Sequence, residues 1–199
     1  MRSLLKPSWI FLDFDNTLMG TECLTTASLV NRFNAIYGTY IKHPLTCQCF
    51  EVRFQGKTRQ SLCESLSDYF NIYVDYEVLY ESRAQDVVTA FRENLVEMAP
   101  DVIETLNEAH KYYELALVTN STLHQIFSAM RWASNGRGSE LAQLFGTSFF
   151  ESGTIPKPKP DVYLYAMHQL NATPQQCIAV EDSIPGASAA ISAGIKTFG

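Results

Sequence analysis

The chain has 199 residues and a formal net charge of −6, with 46% hydrophobic and 18% charged residues. That balance suits one large folded domain, or a core carrying a smaller one, and excludes a disordered chain. The acidic balance argues against a general nucleic-acid binder, which shows a basic surface; a small anionic substrate stays compatible, because a metal ion or a few local donors reverse the field in a pocket.

Trp9 to Leu12 is an unbroken apolar run, the pattern of a central parallel strand covered on both faces. Leu24 to Tyr37 has helical spacing, and Gly38 is expected to end it. Leu45 to Phe54 predicts a short helix, and Thr58 opens another that aligns Leu62, Leu66 and Phe70 on one face. Val78, Val87, Phe91 and Leu95 fit one longer helix. No strand pattern occurs between residues 20 and 98, so this segment reads as a helical bundle inserted into another domain. From residue 99 onward helices and strands alternate. Helices are expected over 101–113, 121–133, 161–170 and 185–193, and strands over 115–118, 149–150, 177–180 and 195–198. No element is assigned to 134–148. Such alternation predicts an α/β core with a parallel sheet and right-handed crossovers, built from residues 1–19 and 99–199.

The five cysteines, Cys23, Cys47, Cys49, Cys63 and Cys177, are odd in number and irregular in spacing. They outline no disulfide framework and suit a reducing compartment. His43, Cys47 and Cys49 lie close together, but Cys-X-Cys lacks the second pair that a zinc site needs. Met1 to Pro7 is too short for a signal peptide, and no stretch approaches a membrane-spanning length. A cytoplasmic protein with no membrane partner is expected.

Asp13 and Asp15 stand where the first strand runs out. They read either as turn formers or as site residues, since open α/β sheets bind ligands beyond the carboxyl ends of their strands. Two later strands end in the same way, in Thr119-Asn120-Ser121 and Glu181-Asp182-Ser183. If these strands are neighbours, the polar residues converge. Mg²⁺ takes oxygen ligands and one or two protein carboxylates, which Asp13 and Asp182 can supply. The hydroxyl and amides at 119–121 can bind phosphate oxygens, helped by the N-terminus of the helix that follows. Lys157 can neutralise the remaining charge.

Four segments, in order, carry a resemblance: Asp13-Phe-Asp15-Asn-Thr17, Leu117-Val-Thr119-Asn120, Lys157-Pro-Lys-Pro-Asp161 and Val180-Glu181-Asp182-Ser183-X-X-Gly186. Each alone is short; together they resemble the four motifs of the haloacid dehalogenase superfamily of phosphotransferases. The subgroup is the one with a helical cap inserted after the first motif. The likeness spans essentially the whole chain and implies a Rossmann-like parallel-sheet core. It implies that Asp13 is the nucleophile and becomes an aspartyl phosphate. Asp15 would protonate the leaving oxygen, then activate water. Thr119 would hydrogen-bond the phosphoryl group, with Asn120 beside it on the substrate, and Lys157 would stabilise that group. Asp182, with the Asp13 carboxylate and the Asp15 carbonyl, would bind Mg²⁺. Glu181 would be a secondary ligand or an orienting group, and Asp161 a helix cap. The implied partner is a small phosphorylated metabolite of sugar phosphate, phosphoglycolate or nucleotide type. A monomer or weak dimer is expected.

The resemblance makes residues 20–98 a cap that closes over the site, with hinges near Met19–Thr21 and Met98–Pro100. Arg59, after Gly56-Lys57-Thr58, reads either as a grip on a second phosphate or carboxylate, or as an arginine on a solvated helix face. Gly20-Thr21-Glu22 departs from the Asp-Ser-Glu of relatives. The chain stops at Gly199, where relatives usually continue for a strand and a helix, so an open sheet edge is expected. Three functions compete. Thr119-Asn120-Ser121 resembles the phosphatases; sugar phosphomutases tend to carry serine and alanine there. A non-catalytic regulator on the same fold is the third reading. A true dehalogenase is disfavoured, because those relatives lack an acid at the position of Asp15.

Overall fold

A computed structural model describes residues 7–81 and 83–199; the first six residues assigned above to the core lie outside them. The chain forms two compact units, residues 7–21 with 95–199, and Glu22–Asn94. In the first unit five parallel strands make one sheet: β1 (Trp9–Leu12), β2 (Glu114–Thr119), β3 (Phe149–Glu151), β4 (Cys177–Val180) and β5 (Lys196–Phe198). Their order is β3-β2-β1-β4-β5, which puts β1 at the centre. The register decides where the site lies. Leu12 pairs with Leu117 on one side and Val180 on the other. The next residues along the three chains are Asp13, Val118-Thr119 and Glu181-Asp182, so the three polar strand ends reach one edge of the sheet.

The second unit is wholly helical among the described residues: α1 (Glu22–Tyr37), α2 (Cys47–Arg53), α3 (Arg59–Phe70), α4 (Tyr76–Tyr80) and α5 (Arg83–Asn94). Thr46, Thr58 and Asp75 cap α2, α3 and α4 by accepting from backbone N–H groups. Phe33, Phe50, Leu62 and Leu66 are among its buried core residues. α1 ends at Tyr37, as expected, and Gly38 opens a 3-10 turn over Gly38–Tyr40. One expectation is corrected. The single long helix through Val78 and Leu95 is two helices. Glu81 turns extended (φ −54°, ψ 134°) after α4, and Leu95 adopts φ 58° after α5. Val78 and Leu95, the two ends of the apolar spacing, are exposed, and only Val87 and Phe91, both on α5, are buried.

The first unit continues with α6 (Val102–His110), α7 (Leu123–Arg131), α8 (Gly138–Phe145), α9 (Asp161–Gln169) and α10 (Ile184–Ser192). The helix α8 has no counterpart in the sequence reading. Ser134-Asn135-Gly136-Arg137-Gly138 reads as a loop, and the eight-residue helix behind it buries Leu141 and Phe145. Asp161 opens α9 but makes no side-chain cap bond; it is a carboxylate in the first turn, where the helix dipole favours it. On one face of the sheet Phe11 lies level with Ala116 and Ala179. The two small neighbours leave room for Tyr163 of α9 to stack on Phe11, with ring centroids 6.2 Å apart. Among the described residues no helix is long and apolar enough to cross a membrane.

None of the five cysteines forms a disulfide. His43, Cys47 and Cys49 form no ligand cluster among the described residues. Burial pushes the Cys177 thiol up to about 11, and Cys63 is also buried and raised. Thiolate is the reactive form. We therefore expect Cys23, which is exposed, to react first with a disulfide reagent on the native protein. Cys63 and Cys177 should react only on unfolding, as a thiol count with and without guanidinium would check.

Candidate active site

Asp13 directly follows β1, and its N–H donates to Val180 O at 3.1 Å. Its side chain is buried. The Lys157 ammonium donates to Asp13 Oδ1 at 2.6 Å, to Glu181 Oε1 at 2.6 Å and to Val118 O at 2.8 Å. An ammonium has three protons, so all three have acceptors. One buried cation thus faces two buried carboxylates. Burial is the main cause that pushes the Asp13 carboxyl up to about 7; Lys157 pulls it down, and Glu181 and then Asp15 push it further up.

Asp15 has different surroundings. Its Oδ1 accepts from the Thr21 hydroxyl, and its Oδ2 accepts from Ser121 Oγ at 2.7 Å and, weakly, from Thr119 Oγ1 at 3.5 Å. The loop that carries it is pinned. Asn16 adopts φ 58°, and its N–H reaches Met19 O at 2.7 Å. The chain segments leaving and re-entering this unit pair with each other, through Gly20 N–H to Glu97 O and Ala99 N–H to Leu18 O. Thr21 and Ser121 are therefore site residues that the motif reading did not single out as partners of Asp15. Their signal was slight: a hydroxyl directly after the second motif, and one in the departing Gly20-Thr21-Glu22 segment.

Asn120 is exposed, yet its side chain is engaged. Its Oδ1 accepts the Lys157 N–H at 2.8 Å, and its Nδ2 faces Lys157 O at 3.5 Å. It ties the strand end of β2 to the main chain of the lysine. The N-terminus of α7, expected to help bind phosphate, is capped by the protein itself. The Thr122–Gln125 capping box takes two N–H groups, and Glu151 Oε2 accepts from Leu123 N–H at 2.5 Å.

Asp182 is exposed beside Glu181. Carboxylate oxygens of Asp13, Glu181 and Asp182 lie within 4.8 Å of one another. Among the described residues, Glu181 Oε2 and Thr17 Oγ1 are buried with no protein partner. An all-oxygen donor set with an unpartnered buried carboxylate oxygen fits a hard divalent cation such as Mg²⁺. Gly186 of α10 makes room for Glu181: a Cβ added there would land on Glu181 Oε2. Gly186→Ala should displace that carboxylate and overpack the site, lowering thermal stability by about 1–3 kcal/mol. A variant with unchanged unfolding would contradict this placement.

Arg59 belongs to the helical unit. It begins α3, its guanidinium lies 5.4 Å from the Tyr80 ring centroid, and it lines a cavity of about 490 Å³ with Tyr76, Glu77 and Glu81. Glu22 is engaged within the same unit, accepting from Gln55 Nε2 at 2.8 Å.

Comparison with known proteins identifies the family. The family described as haloacid dehalogenase-like hydrolase matches residues 7–194. A phosphorylated carbohydrates phosphatase of Thermotoga maritima is 27% identical over 94% of this chain and 82% of its own length. Protein CbbY of Cereibacter sphaeroides is 24% identical over 59% of this chain, and the match spans only 51% of that relative. The crystal structure of CbbY from Rhodobacter sphaeroides in complex with phosphate superposes with a TM-score of 0.73, at 20% identity, over 96% of this chain and 84% of that one. The strand order, the four motifs and the match across nearly all of the sequence place this chain in the haloacid dehalogenase-like hydrolase family.

Proposed function

We propose that this chain is a Mg²⁺-dependent phosphatase of small phosphorylated metabolites, sugar phosphates first among them. The observation that carries the reading is the difference between its two neighbouring aspartates. Asp13 is buried against an ammonium, whereas Asp15 is half-buried and held by hydroxyls. Two carboxylates in unlike environments are suited to two roles. Asp13 attacks phosphorus and becomes the aspartyl phosphate; Asp15 gives a proton to the departing oxygen and then takes one from water. Lys157 holds Asp13 Oδ1 in place and offsets charge as the phosphoryl group arrives. Thr119 turns its hydroxyl from Asp15 to a phosphoryl oxygen, and Asn120 keeps the Lys157 loop in register. Asp13, Asp182 and the Asp15 carbonyl would hold Mg²⁺, whose part is to neutralise phosphoryl charge. The helical unit serves as the cap, with Arg59 as its candidate grip on a second anionic group.

A panel of phosphomonoesters assayed with and without Mg²⁺ tests this. Phosphate release that needs the metal is expected, with sugar phosphates among the best substrates. Turnover of a hexose phosphate only with a bisphosphate primer, and no phosphate release, would make the chain a mutase instead. Mg²⁺ binding without any turnover would leave the regulatory reading.

A further inference from the structure

Glu151 takes no part in the chemistry above, yet it stands at the same sheet edge. It ends β3 in register with Thr119, the last residue of β2, and Ser152 N–H donates to Thr119 O at 2.9 Å. Two strand spacings, about 10 Å across the sheet, separate β3 from β1. The residue is exposed, but its side chain is held. The carboxylate reaches to the start of α7, where Oε2 accepts from Leu123 N–H. Leu123 follows Ser121 by two residues, at most about 7 Å along the chain, and Ser121 Oγ holds Asp15 Oδ2 at 2.7 Å. Capping alone does not require the Glu151 bond. Thr122 and Gln125 already cap α7 reciprocally, and water would satisfy an exposed N–H.

The consequence is electrostatic. The N-terminal end of a helix attracts anions, and this end lies beside Asp15. Glu151 supplies an anion there from within the chain. We propose that Glu151 is a specificity-determining residue, whose fixed charge fills the anion-attracting end of α7 and repels a second phosphate of the substrate. The class of substrate this favours is a monophosphate ester with an otherwise uncharged body, over the bisphosphate of the same molecule. Whatever Arg59 adds for an anionic group is common to wild type and variant, so it cancels in a comparison of the two.

The inference rests on the phosphatase reading. Its test takes the best sugar monophosphate of the panel above and the bisphosphate of the same sugar. In Glu151→Gln the amide oxygen still accepts from Leu123 N–H, so the charge goes and the bond stays. An exposed, isosteric change leaves the core untouched. Relative to the monophosphate, kcat/KM for the bisphosphate should rise at least about fivefold over wild type, and the monophosphate value itself should change by less than about twofold. The rise should shrink when KCl is increased to about 0.5 M, because salt screens an exposed charge. Glu151→Ala loses charge and bond together; it should show the same rise with a lower Tm. An unchanged ratio in Glu151→Gln overturns the proposal. So does a rise that ignores salt, or one confined to Glu151→Ala, which marks a loosened helix end instead of a lost charge. Wild-type protein that hydrolyses no phosphomonoester sinks both readings; wild-type hydrolysis with an unresponsive Glu151→Gln sinks this one alone.

Discussion

Asp13→Asn should abolish turnover, by at least about a thousandfold, and at the same time make the metal-free protein more stable near pH 8. The first effect follows from removing the nucleophile. The second follows from charge. Asp13 and Glu181 share one ammonium, each at 2.6 Å, so the buried cluster carries one negative charge too many. The Asp13 carboxyl is raised from 3.8 to about 7, mainly by burial. The folded state therefore keeps a proton that the unfolded chain gives up within that window. Stability is full below the unfolded value and is lost as pH rises through the folded one. The asparagine variant has no such loss. In EDTA its advantage should be on the order of 2–4 kcal/mol at about pH 8, several degrees in Tm, and should vanish near pH 4. Thermal unfolding across pH checks this, and a variant less stable than wild type at about pH 8 would contradict the charge count.

Lys157→Met should have the opposite effect on stability. It leaves two buried carboxylates facing each other with no cation, and breaking a buried pair by removing one partner costs about 3–5 kcal/mol. For a chain of this size that lowers Tm by roughly 6–20 °C. The fall should be largest in EDTA and smaller with Mg²⁺, because a bound cation restores some of the missing positive charge. Turnover should be lost as well. Equal Tm losses with and without Mg²⁺ would contradict the placement of a cation beside Asp13. Together the two substitutions separate function from stability: both stop catalysis, but they move Tm in opposite directions.

Much of the fold was legible because burial writes a simple pattern. β1 and β4 are short apolar runs that end abruptly in carboxylates, and both were found at their full extent. The sheet class followed from the alternation after residue 99. What stayed hidden was of two kinds. The helix α8 starts with a glycine-rich segment, and Gly138 is there because a Cβ would meet the Met130 carbonyl, a tertiary constraint with no local signature. The break between α4 and α5 is likewise invisible to periodicity. In the site, the motifs marked Asp13, Asp15, Lys157 and Asp182 as acting residues, and those positions do lie along one sheet edge. The motifs could not tell which hydroxyl holds Asp15. Thr21 and Ser121 do so, and each is a common residue whose partner depends on loop geometry. Tyr163 was hidden most deeply: on α9 it reads as a core aromatic, and only its hydroxyl, bonded to Glu181, shows that it borders the site.

The central claim is that Asp13 carries the phosphoryl group. Rapid acid quench during turnover of an activated aryl phosphate with Mg²⁺, followed by borohydride reduction and peptide mass analysis, reads it directly. The acyl phosphate at Asp13 should be reduced to homoserine in wild type, with Asp15 unmodified. Steady phosphate release with no reduction at Asp13, or reduction at Asp15 instead, would contradict the assignment of the two aspartates.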